Sequence, residues 1–181
     1  MTRITILDRA NMNAEQARVY DAAVAAKSPV GGPYYAYIYV PKLFEGAQNL
    51  RMAIAAGPLS RRETQVANLT IARFYNARYP WFAQVRASVA AGIERPVIDA
   101  INARQTPDIA DAREKTSFVV TNELLNNKKL SDQTYAAAEK TMGLEGLVNL
   151  IAVVGSFAMT CMTACAFDVD PPADNPVPLA P

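Results

Sequence analysis

Leu59-Ser60-Arg61-Arg62-Glu63-Thr64-Gln65-Val66-Ala67-Asn68-Leu69 is the stretch that decides the fold. Ser60 followed three residues later by Glu63 is a capping box, in which the hydroxyl and the carboxylate each satisfy an amide of the first helical turn. Val66, Leu69, Ala72 and Phe74 follow among the apolar positions, which predicts a helix to about Asn76. Upstream, Gly57-Pro58 stops an earlier helix that Pro41 opens. Downstream, Pro80 starts a helix that Gly92 ends, and Pro96 starts a short one ending before Thr106-Pro107. A long amphipathic helix is expected from Asp108 to about Asn127, with Phe118, Val119 and Leu125 as its apolar set. Ser131 caps the next, Gly143 closes it, and an uncharged helix from about Leu144 to Ala166 comes last.

Toward the N-terminus, Asn13 with Gln16 caps a segment reaching about Ala26, and Ser28 to Pro33 is irregular. The run Tyr34, Tyr35, Tyr37, Tyr39 alternates with Ala36, Ile38 and Val40. A strand needs a partner, and no second strand-like run exists, so an ordered loop is expected there. The class is all-α: seven or eight helices in one domain over residues 1–170, ending in a buried apolar helix. Residues 171–181 form a Pro-rich tail, expected to fray or drape.

Composition removes whole classes of chemistry. The 181 residues suit one domain, and a net charge of +1 provides no field for nucleic acid or an anionic membrane. There is no histidine, which excludes Ser-His-Asp, Cys-His and His-zinc sites. Two cysteines, Cys161 and Cys165, are too few for a disulfide framework. Four residues apart on a helix, they sit roughly 5–6 Å apart at Cβ, beyond the separation a disulfide takes. They are expected as small core residues, with no metal and no cofactor. Met1 to Ala10 has no apolar run of signal-peptide length, so a cytoplasmic chain is expected. The 21 uncharged residues from Leu147 to Phe167 could span a bilayer by length. Asn149, Ser156, Thr160 and Thr163 within the run, and the lack of a basic flank, favour a helix buried on nearly all sides, inside the domain or at a subunit interface.

The capped helix, with Ala72-Arg73, Tyr79-Pro80-Trp81-Phe82-Ala83-Gln84 and Ala90-Ala91-Gly92, resembles the core motif of the carboxymuconolactone decarboxylase family, which includes the AhpD-like alkylhydroperoxidases. The resemblance extends through Glu123-Leu124-Leu125, Ser131-Asp132, Gly146-Leu147-Val148 and Ala166-Phe167. It implies an all-helical chain forming a homo-oligomer, a trimer or hexamer; a dimer also fits the composition. In the peroxidase branch a glutamate, two cysteines and a histidine form a proton relay to a reactive thiol. Those positions fall on Gln65, Ala77, Pro80 and Gln84, and Gln84 also occupies the histidine position of the decarboxylase branch. A carboxamide donates and accepts hydrogen bonds but takes up no proton at working pH, and without a thiolate there is no peroxide-attacking nucleophile.

The resemblance therefore directs attention to a pocket without its redox groups. Gln84, Gln65 and Tyr79 are the candidate catalytic residues, the amides orienting and the phenol moving a proton. Trp81, Arg73, Arg78, Tyr34 and Tyr35 are the candidate substrate-binding residues, the arginines for a carboxylate and the loop tyrosines as a lid. Two functions follow: a non-redox lyase, decarboxylase or isomerase acting on a small carboxylated or carbonyl compound, or a catalytically inactive oligomer that binds a small molecule or a protein. An AhpD-type peroxidase ranks below both.

Overall fold

A computed structural model describes residues 2–173 and 177–180. Among them the chain forms a short 3-10 turn and then α1 (Ala14–Ala25), α2 (Tyr34–Tyr37), α3 (Pro41–Ala55), α4 (Arg61–Phe74), α5 (Arg78–Ala90), α6 (Arg95–Asn102), α7 (Ala112–Asn127) and α8 (Asp132–Ala166), with no strand. The caps act as expected. Both capping boxes close, Asn13 with Gln16 and Ser60 with Glu63, and the Ser131 side chain accepts from the amide of Thr134. Inside α8, Gly143 has φ 74 and ψ 164, so the backbone breaks where a helix end is expected.

α4 is the central element, packed on α5, α6, α7 and α8. Val66, Leu69, Ile71 and Ala72 are buried in a core that also takes Trp81, Val85, Ile98 and Cys161. Its opening turn is also tied down by charge. Glu63, 5% exposed, pairs with Arg113 at 2.7 Å, and Arg62 pairs with Glu114 at 2.5 Å, linking the starts of α4 and α7. The Glu63 hydrogen bond raises the pKa of Arg113 above its ordinary value. Because the same carboxylate closes the capping box, one acidic side chain serves the helix start and the helix pair together.

The structure departs from expectation in four places. The tyrosine run is helical: Tyr34–Tyr37 form one turn, and the neighbours Tyr37 and Ile38 are both buried against Phe44 and Val19. A one-sided strand cannot bury two successive side chains, so burial overrode the alternation. α7 begins at Ala112, capped by Asp111, and Val119 is exposed while Val120 is buried. The last helix buries one face through Leu147, Leu150, Val153 and Cys161, while Leu144, Val148, Ile151 and Met162 stay exposed, so within the chain the cover is one-sided. Of the described helices α8 is the one long and apolar enough to cross a membrane, with a mean hydropathy of 1.8 in its most apolar window. Finally, the described end of the tail, 177–180, drapes onto the core and does not fray; 174–176 and 181 lie outside the described residues. Val177 is buried in the core, and Asn102 both donates to the carbonyl of Pro178 and accepts from the amide of Ala180.

Candidate functional site

The first turns of α5 meet α2, α3 and the second half of α8 around a cavity of about 390 Å³. Its walls are mainly apolar: Pro29, Pro33, Ala47, Leu50, Pro80, Ala83, Phe157 and Met159. Polar groups come from Tyr34, Tyr37, Tyr79, Gln84, Arg51, Ser156 and Thr160. Volume and lining are those of a small-molecule site. Tyr79 is placed by glycine. A Cβ on Gly32 would lie 2.3 Å from Cε1 of Tyr79, and Gly32 has φ +63, so both the close approach of the ring and the backbone need glycine. The Tyr79 and Tyr35 hydroxyl oxygens both come close to Gly31, at 3.0 and 3.3 Å from where a Cβ would stand.

Burial raises the pKa of Tyr79, and the neighbouring Tyr35 adds to it. Burial also raises that of Tyr34, against the opposing influence of Arg51 beside it. Both phenols are therefore protonated at neutral pH and act as donors. Gln84 lines the cavity, and its Oε1 accepts from Nδ2 of Asn68 at 3.4 Å. Pro80, one of the two positions where the sequence resemblance leads a cysteine to be expected, lines the cavity, while Ala77, the other, is buried at the start of α5.

Of the eight expected site residues the cavity gathers Tyr34, Tyr79 and Gln84. The other five lie elsewhere, each for a packing reason. Gln65 is 9% exposed and accepts from Ser88 Oγ at 3.2 Å, so it closes the α4–α5 interface instead of meeting Gln84. Asn68, three residues on, holds the position facing Gln84. Trp81 is fully buried and donates Nε1–H to the carbonyl of Val177 at 2.8 Å. Arg73 is buried, donating to the Asn102 carbonyl at 2.7 Å and to Asn76, and it lines a separate cavity of about 220 Å³ with Arg104. Arg78 pairs with Asp170 at 2.7 Å near the tail. Tyr35 lines an adjoining cavity of about 240 Å³ that shares Gly31 and Tyr34 with the first. Arg51, Ser156 and Thr160 also line the cavity without having been expected there, because α3 and α8 carry no motif that ties them to α5.

The cysteines stand apart from this cavity. Cys161 is fully buried, and burial, with Cys165 nearby, pushes its thiol far up. Cys165, expected in the core, is instead exposed at the end of α8, where it donates to the Tyr75 carbonyl at 3.5 Å. Its pKa is also raised, by partial burial and by Asp168, against Arg78. Among the described residues no cluster of three or more His, Cys, Asp or Glu could hold a metal.

The architecture is similar to a solved crystal structure, the alkylhydroperoxidase AhpD core of an uncharacterized peroxidase-related protein from Ralstonia eutropha JMP134. The match has a TM-score of 0.77 at 13% identity and covers 98% of this chain and 97% of that one. This chain has an AhpD-like fold. No family model matches the sequence, and no curated protein matches it. At 13% identity the likeness speaks for the fold alone, so the chemistry of this AhpD-like chain has to be argued from its own cavity.

Proposed function

We propose that the chain is a non-redox lyase of decarboxylase type, or an isomerase, acting on a small carboxylated or carbonyl compound in the cavity between α2, α3, α5 and α8. One observation supports this above all: two protonated phenols and a neutral amide line a mainly apolar enclosure that contains no thiol and no carboxylate among its described residues. Such a site suits a reaction whose barrier falls through orientation and fixed donors. When carbon dioxide leaves a carboxylate, the bond's electron pair stays behind as a carbanion or enolate. The Tyr79 O–H donates its proton to that carbon, and the tyrosinate recovers a proton from water. With its oxygen engaged by Asn68, Gln84 offers N–H donors to the developing oxyanion.

A second reading, a non-catalytic small-molecule binder, draws on the same lining, because no general base is available there at neutral pH. The two readings separate in one experiment. The chain is incubated with a panel of ring acids, lactones and ketones while melting temperature and product formation are followed. Stabilisation with consumption supports the enzyme, and stabilisation without consumption supports the binder. No stabilisation by any compound overturns both. Turnover of an organic peroxide with a dithiol reductant would overturn the non-redox chemistry.

The same proposal takes the chain as a cytoplasmic homo-oligomer, a trimer or hexamer or else a dimer. The exposed side chains of Leu144, Val148, Ile151 and Met162 on α8 support this, since apolar side chains left in water favour subunit contact. Sedimentation equilibrium tests it: a monomer would overturn the oligomer.

A further inference from the structure

Arg51 is the one charged side chain in the described lining of the cavity. Seven other arginines each face an aspartate or glutamate. Arg51 has no such ion pair among the described residues, and neutral oxygens hold it instead. Its Nη2 donates to Ser28 Oγ at 2.9 Å, its Nε to Gln48 Oε1 at 3.4 Å, and the guanidinium also hydrogen-bonds the Tyr34 phenol. Gln48, 6% exposed, is itself pinned, donating Nε2–H to the Pro29 carbonyl at 2.6 Å. The guanidinium is thus aimed by these contacts without being neutralised. It has five N–H donors, more than these contacts use. A half-buried cation beside apolar walls is costly until a counter-charge arrives, and a carboxylate matches the planar fork with two parallel bonds.

The rest of the lining decides what that carboxylate is attached to. Leu50, Pro80, Ala83, Phe157 and Met159 are apolar, and about 390 Å³ accommodates one small ring compound. A single cation balances a single anionic group, and a second carboxylate would meet only the neutral donors of Tyr79, Gln84, Ser156 and Thr160, with no further cation in the described lining. We propose that Arg51, oriented by Gln48 and Ser28, is the carboxylate anchor of this cavity, and that its ligand is a ring-bearing monocarboxylate. This rests on the reading of the cavity as a small-molecule site and names the ligand class.

Isothermal titration of the full chain with benzoate, its neutral analogue benzamide and the dianion phthalate tests the anchor. Benzoate is expected to bind best. Arg51→Gln should weaken benzoate on the order of 10- to 100-fold and leave benzamide unchanged, while Arg51→Lys retains part of the preference. Benzamide or phthalate binding the native chain as well as benzoate, or Arg51→Gln binding benzoate like the native chain, would overturn it. The comparison on the native chain stands even if a variant fails to fold. If neutral lactones or ketones bind and benzoate does not, the anchor falls and the small-molecule reading survives. If no compound binds, both fall.

Discussion

The Trp81 indole N–H donates to the carbonyl of Val177 at 2.8 Å, across 96 positions of sequence. This bond brings the chain's single tryptophan, the fourth residue of α5, under a tail whose composition alone predicts fraying or draping. Deleting residues 171–181 removes that hydrogen bond and the buried Val177 side chain. The expected loss is about 2–4 kcal/mol, read from urea unfolding. Trp81 emission should shift to the red in the folded state as water reaches the indole. An unshifted spectrum with unchanged stability would show the tail to be dispensable.

Gly32→Ala should disturb the cavity through Tyr79. The backbone at φ +63 alone costs a non-glycine residue about 1–3 kcal/mol, and the new methyl would overlap the Tyr79 ring. Lower stability and loss of ligand-induced melting shifts are both expected. Gly46→Ala, in the exposed middle of α3 with nothing within 4 Å of the new methyl, is the control and should stabilise by about 0.5–1 kcal/mol.

The thiols should be poor nucleophiles in the native protein. Cys161 is fully buried and its pKa is driven up, and Cys165, though exposed, is also raised. Intact-mass analysis after maleimide treatment at neutral pH should show at most one slow adduct, on Cys165, and two after denaturation. Cys165→Ser should leave ligand binding unchanged, because the thiol does not line the cavity. Two rapid native adducts would contradict the described burial.

Alkaline pH should weaken the fold through the cavity phenols. Tyr34 and Tyr79 have folded pKa values above the ordinary 10.0 because burial disfavours their anions. Their contribution is therefore fully present below pH 10 and is lost as pH rises through the raised folded values. The urea midpoint should fall above pH 10, and less steeply in Tyr79→Phe or Tyr34→Phe. Ligand binding should show no inflection between about pH 6 and 7, since no histidine exists and no carboxylate lines the described cavity. A midpoint near pH 6.5 would contradict a lining free of carboxylate and imidazole.

Helix starts were legible in the sequence because capping is local. Asn13 with Gln16 and Ser60 with Glu63 satisfy amides within four residues of themselves, whatever the rest of the chain does. The break at Gly143 was legible for the same reason, a backbone conformation written into one residue. Absence was equally local: the sequence has no histidine, and its two cysteines both lie in the last helix, before any folding is considered.

Only the tertiary structure decided which side chains meet. Successive residues on a helix point about 100° apart, so the partner of Gln84 is Asn68 and not Gln65, a difference set by how α4 and α5 are rotated against each other. The same rotation turns Arg73 away from the cavity, and packing of α3 beside α8 brings in Arg51. The tyrosine run became helical because Phe44 and Val19, from two other helices, bury adjacent residues of it. Sequence punctuation thus set where the capped helices α1, α4 and α8 begin, since those bonds close within a turn. The identity of the charged group beside the phenols came from packing between distant segments, which no short stretch of residues encodes.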